Sequence, residues 1–227
     1  MNINQNLTQL QEPVVDNIAE LEQKALNAIL RAVPFDGWRD AAFRSAARDL
    51  PDGALLAVFP GGIQDAFDLW HKQLNTAMLD AYASHFPAPQ KIRDKVHTLV
   101  MARLHAAAPH KEAVRAATAY YALPTRWLAA QRYLWDIADS IWRTAGDTST
   151  DYNYYTKRGL LAEVYRATAL YWLQDDSDTH HNTAAFCARR INDVLTVGKN
   201  LGKARSAVDA GGDLVSKGLN TLGRYVA

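Results

Sequence analysis

The sequence predicts an all-α fold of nine to ten helices, forming one helical domain with a small N-terminal subregion. Three observations carry this. Apolar residues recur at the 3.6-residue period along most of the chain. No stretch alternates convincingly enough to read as a strand. Glycine and proline are few before residue 198, and they fall where helices should stop and start.

The first helix is expected from about Pro13 to Val33, with Val14, Ile18, Leu21, Ala25, Ala28 and Ile29 on one stripe; Pro34-Phe35-Asp36-Gly37 breaks it. A second runs from Trp38 to Leu50, before Pro51, and a short third from Gly53 to Phe59, before Pro60-Gly61-Gly62. The fourth is long, from Ile63 to Phe86, and Pro87 and Pro89 stop it. Helices over Gln90 to Ala108, Pro109 to Ala122 and Thr125 to Ala145 come next, with Pro109 and Pro124 suited to a first turn or a stop. The polar loop Gly146-Asp147-Thr148-Ser149-Thr150-Asp151 is rich in N-cap residues. It leads into a helix carrying Leu161, Val164, Thr168 and Tyr171 on one face. That helix ends in Asp175-Asp176-Ser177-Asp178, and another follows from about Thr179 to Val197. Three regions result, at 13–86, 87–197 and 198–227.

The last region differs in kind. Gly202, Gly211, Gly212, Gly218 and Gly223 lower its helicity, yet Leu201, Val208, Val215, Leu219, Leu222 and Val226 keep helical spacing. Lys203, Arg205, Lys217 and Arg224 lie off that stripe. Two readings stand: an amphipathic helix that folds on a membrane surface through those six residues, or a helix packed on its own domain or a second copy.

Composition excludes several classes. At 48% hydrophobic residues the chain can bury a core, which argues against disorder. A net charge of +1 supplies no global field for nucleic acid. The single cysteine, Cys187, excludes a disulfide framework and a thiolate zinc site. No apolar run approaches the roughly 18 residues of a membrane span, and the first residues lack a secretory pattern, so a cytoplasmic protein is expected.

Chemistry is also scarce. Only Glu12, Glu20, Glu22, Glu112 and Glu163 occur as glutamates, and none has a histidine three positions on, as a di-iron bundle needs. Metalloprotease, nucleophile-elbow and phosphate-loop motifs are missing. His180 and His181 adjoin carboxylates, but neighbouring helical side chains point about 100° apart and are poorly placed to share an ion. His71, His85, His97, His105 and His110 read as surface or core-edge residues. No catalytic residue, metal or cofactor is expected, and the protein reads as a non-enzyme.

The N-terminal rhythm of Ala28 to Ala32, Phe35, Gly37-Trp38, Ala41-Ala42-Phe43 and Ala46-Ala47, then Pro51 to Phe67, resembles the opening of TetR-type regulators. The corresponding recognition helix is degenerate. No lysine or arginine lies between Pro51 and His71, while Asp52, Asp65 and Asp68 are acidic, so no nucleic-acid partner is expected. A ligand-responsive DNA-binding regulator remains the alternative function on this fold.

Further on, Trp142 to Arg158 resembles the signature of the Coq-nine family, ubiquinone-biosynthesis accessory proteins of mitochondria and related bacteria. Leu160-Leu161-Ala162, Tyr165, Gln174-Asp175 and Arg190-Ile191-Asn192-Asp193 also match. The resemblance implies a TetR-like protein that binds phospholipid or isoprenoid quinone precursors. It further implies docking on the di-iron demethoxyubiquinone hydroxylase to present its substrate, an amphipathic C-terminal helix on the membrane, and a homodimer through the last two core helices. For a bacterial member it implies a cytoplasmic location, peripheral on the inner membrane. The lipid site is expected at Trp135, Trp142, Val164 and Tyr165, and the partner site at Ile141, Asp151, Tyr154 and Tyr155. The family's aromatic pair often reads Trp-Tyr, and here it is Tyr154-Tyr155. An exposed tyrosine pair suits an interface, although a tyrosine can equally lie over its own core with its hydroxyl in water.

Overall fold

A computed structural model describes the backbone of residues 3–85, 87–150 and 152–196, and the side chains of 17–85, 87–150 and 154–196. Among these residues there is no strand. Eight bounded helices occur, slightly fewer than the nine to ten expected: α1 (Ile3–Asp36), α2 (Asp40–Ala47), α3 (Ala54–Val58), α4 (Ile63–Ala83), α5 (Ile92–Ala107), α6 (Lys111–Tyr121), α7 (Trp127–Ala145) and α8 (Tyr152–Trp172). A further helical run, α9 (181–196), reaches the end of the described residues.

Helix α1 starts well before Pro13 and passes through Pro34, which occupies its last turn. Gly37 then takes a left-handed conformation (φ 71°), and its N–H donates to the Val33 carbonyl at 2.8 Å. This glycine, rather than the proline, ends the helix. The buried stripe of α1 is Ala25, Leu26, Ala28, Ile29, Leu30 and Val33, whereas Ile18 is 53% exposed.

Helix α1 packs on α2, α3 and α6, α4 lies along α5, and α7 lies along α8. Trp38, between α1 and α2, ties the first of these groups to α4. It is fully buried, its indole N–H donates to the Ala113 carbonyl of α6 at 2.9 Å, and its ring stacks on Trp70 and meets Phe67 edge-on. Replacing such a side chain by alanine costs about 3–5 kcal/mol.

Two local devices shape the C-terminal helices. Gly146 (φ 94°) ends α7, with its N–H on the Arg143 carbonyl (3.0 Å) and the next N–H, of Asp147, on that of Trp142 (2.9 Å). This paired C-terminal bond pattern delivers Asp147 directly beside the start of α8. Before α9, the buried Asp175 carboxylate accepts from the backbone N–H groups of Ser177 (3.0 Å) and Thr183 (2.8 Å) and from the Thr183 hydroxyl (2.6 Å). These bonds hold its acid well below the usual carboxylate range, against the opposing effect of burial. Cys187 is buried where α9 faces Thr168 of α8, and burial pushes its thiol up to about 12 although the Thr168 bond partly offsets this.

Candidate functional site

The helical layers do not close on one another completely. A cavity of about 710 Å³ lies between α4, α5, α6, α7 and α8. Phe67 and Trp70 line it from α4, Tyr121 from α6, Leu134 and Ile137 from α7, and Ala169 from α8. Trp127, at the start of α7, lines the cavity while 58% exposed, so the cavity reaches the surface there. That volume lies in the range of small-molecule pockets, and an apolar lining selects an apolar ligand.

One wall is polar. Arg103 of α5 is 3% exposed and lines the cavity. Its Nε donates to the Tyr165 hydroxyl (3.2 Å), Nη1 to Asn75 Oδ1 (2.5 Å) and Nη2 to His71 Nδ1 (3.2 Å). The other imidazole nitrogen, Nε2, donates to Asp136 Oδ2 at 2.7 Å, and the Asn75 amide reaches the same oxygen at 2.9 Å. Burial, assisted by the Arg103 charge, pushes His71 down to about 4, so the ring is neutral near pH 7 and this tautomer follows. One turn along the same helix pair, with its ring 4.9 Å from that of His71, Tyr133 donates its hydroxyl to Asp68 and accepts from Gln64. Burial and the Asp68 bond raise its phenol well above its ordinary value.

A second polar cluster sits under the α7–α8 loop. Arg158 is almost fully buried and pairs with Asp139 (2.5 Å) and Asp147 (3.1 Å). Lys157 reaches Asp147 (2.7 Å) and the Ser149 hydroxyl (2.7 Å). Burial opposes ionisation of Asp147, but bonds from Lys157, Ser149 and Arg158 hold its acid down to about 2. The Arg158 guanidinium also stacks 3.5 Å from the centre of the Tyr154 ring, and the Tyr154 hydroxyl donates to Asp139 (3.1 Å).

The expected site residues separate into different places. Tyr165 lines the cavity and touches Arg103. Val164 and Trp142 are buried but face a small apolar hollow on the other side of α8, beside Val96, Leu161 and Ile191. Val164 and Tyr165 are consecutive on a helix, so they cannot share a face. Trp135 turns toward Tyr154 and Tyr155, with ring centres 6.2 Å and 6.0 Å away, and is absent from the cavity lining. Tyr155 is 64% exposed and Tyr154 partly buried. Ile141 is fully buried, one turn beyond Ile137 on the inner face of α7, and offers no surface to a partner. Asp151 lies outside the described residues, as do Leu201, Val208, Val215, Leu219, Leu222 and Val226. His71, expected at the surface or core edge, is buried instead, because a carboxylate and an arginine satisfy both ring nitrogens. Neither His71 nor Arg103 stood out beforehand; they lie 32 positions apart, on different helices.

Comparison with known proteins gives this geometry a setting. The COQ9 family model matches residues 128–198, which span α7, its loop, α8 and α9. The chain is similar to ubiquinone biosynthesis protein COQ9, mitochondrial, of Xenopus tropicalis, with 30% identity over 203 residues. It is 29% identical over 205 residues to the protein of the same name from Homo sapiens. Each match takes in 84% of this chain and 63% of the relative, so the chain spans a little under two thirds of their length. These relatives are named mitochondrial, which overturns the expected cytoplasmic location on a bacterial inner membrane. Among solved structures, a TetR transcriptional regulator from Nitrosomonas europaea superposes with a TM-score of 0.62 at 14% identity, covering 78% of this chain and 98% of that one. That likeness is one of fold alone. Residues 128–198 are therefore a COQ9-family domain, carried on a TetR-like helical fold.

Proposed function

We propose that this protein serves ubiquinone biosynthesis as a non-enzymatic lipid-binding protein, which holds an isoprenoid quinone precursor and presents it to the di-iron demethoxyubiquinone hydroxylase. The observation that carries this reading is the mostly apolar, surface-connected cavity walled on two sides by helices of the COQ9 domain. A prenylated ring cannot cross water usefully, since each CH₂ transferred from water is worth about 0.8 kcal/mol. A shielded pocket removes that barrier without bond chemistry. The outward patch of Trp135, Tyr154 and Tyr155 is the proposed hydroxylase contact, tyrosine and tryptophan being enriched at interfaces. Leu170, Tyr171 and Phe186, partly exposed on α8 and α9, supply an apolar face for a homodimer.

The alternative of a DNA-binding regulator is opposed by α3, which has five residues, exposes Leu56 and carries no basic side chain. Specific complexes need such groups on base edges and phosphates. Native mass spectrometry of gently purified protein, followed by lipid extraction, tests the proposal. An isoprenoid or quinone adduct is expected. Protein that is free of lipid and does not take up a short-chain quinone would overturn it.

A further inference from the structure

A cavity that only had to hold hydrocarbon would gain nothing from a buried arginine. Removing a guanidinium from water costs several kcal/mol unless charge and hydrogen bonds are supplied in return. Here the three acceptors within reach, on Asn75, His71 and Tyr165, are all neutral. Among the described residues no carboxylate lies within 4.0 Å of Arg103. Asp136 stands behind the His71 ring with its side chain 58% exposed, and the acid that lines the cavity, Glu163, is paired with Arg166 at 2.6 Å. Arginine carries five N–H donors, and these bonds use three. Methionine would fill similar space without the desolvation cost, so packing does not account for the residue.

We infer that Arg103 anchors a ligand head group: the cavity takes an amphiphile head-first, with an oxygen acceptor of the head on the guanidinium and the hydrocarbon tail leading out past Trp127. This rests on the lipid-binding reading and adds to it a direction and a chemical class. The acceptor is a ring carbonyl or a carboxylate; a cationic head is rejected by the Arg103 charge. The supporting wall is built to hold the guanidinium in place, since Asn75 and His71 lie one turn apart on α4 and both lean on Asp136. Head-first entry also suits a tail longer than the pocket. A cavity of about 710 Å³ encloses a drug-sized group, and an extended polyprenyl chain must leave through the mouth.

Isothermal titration of the full chain with three tail-matched probes tests this: decylubiquinone, laurate and dodecyltrimethylammonium, each below its micelle concentration. The wild type is expected to bind the first two at least tenfold more tightly than the third. Equal affinity for decylubiquinone and laurate identifies a carbonyl contact as sufficient; a clear excess for laurate identifies the anion as the preferred partner. In Arg103→Met the discrimination against the cation should collapse, whereas Arg103→Lys should keep it for laurate and weaken decylubiquinone. Circular dichroism melting checks that each variant is folded, and the wild-type selectivity stands as a test by itself. If all three probes bind the wild type equally, or if Arg103→Met keeps the selectivity, the head-group assignment is wrong and lipid binding survives. If no probe binds, both readings fall together.

Discussion

Two buried arginines divide this molecule between them. Arg158, beneath the α7–α8 loop, meets two carboxylates at 2.5 Å and 3.1 Å. Arg103, on the cavity wall, meets three neutral acceptors. Both are almost wholly buried. The first has its charge balanced inside the fold and welds a loop between two helices. The second lines the cavity with no carboxylate within 4.0 Å among the described residues. The difference separates a structural cation from one available to a ligand, although both are arginines on helices.

The contrast can be broken experimentally. The largest effect is expected from Arg158→Met, which removes two charge-assisted hydrogen bonds and leaves Asp139 to Arg143 and Asp147 to Lys157; it should cost about 3–5 kcal/mol in urea unfolding. Next comes acid. His71 is held near 4 in the fold against an ordinary 6.5, so the unfolded chain takes up this proton first as pH falls. Stability should therefore drop between pH 6.5 and 4, by on the order of 3 kcal/mol. His71→Gln should flatten that window. Asp147 acts lower: its contribution is complete above 3.8 and is lost as pH falls toward 2. The two clusters should thus loosen in separate pH ranges, visible in denaturant titrations at successive pH values.

Arg103→Met should cost less than its counterpart, about 1–3 kcal/mol, because only neutral acceptors lose their donor. It should also raise the pH at which His71 protonates, measurable by imidazole NMR, since the adjacent positive charge is gone. The smallest effect is expected from Tyr155→Ala. Its exposed ring should leave stability within about 0.5 kcal/mol of wild type. Yet it should weaken capture of the di-iron hydroxylase about tenfold, read by surface plasmon resonance. Unchanged capture would remove Tyr155 from the interface.

Helix placement was legible in the sequence because apolar period and breaker residues act locally, and α4, α5 and α7 each lie within a few residues of expectation. The loop signature was legible too, since Asp147, Lys157 and Arg158 are close in sequence. The cavity was not. Its walls come from five helices, and aromatic residues at helical spacing look alike whether they fill a core or line a hole. Trp142 and Tyr165 show this: both are large and on inner faces, but they look into different spaces. Arg103 was invisible for a related reason. Its meaning depends on the absence of a carboxylate nearby, and chain-distant neighbours decide that.

Cys187 adds a consequence of another sort. As the only thiol in the chain, sealed against Thr168 of α8, it reacts with an alkylating reagent only when that packing parts. Its labelling rate under native conditions is thus a clock for the opening of α8 from α9. The neighbouring residues Tyr165, Ala169 and Leu170 of the same helix line the cavity. Any molecule that fills the cavity and braces α8 should slow the clock, so occupancy can be followed by mass spectrometry without attaching a probe to the ligand.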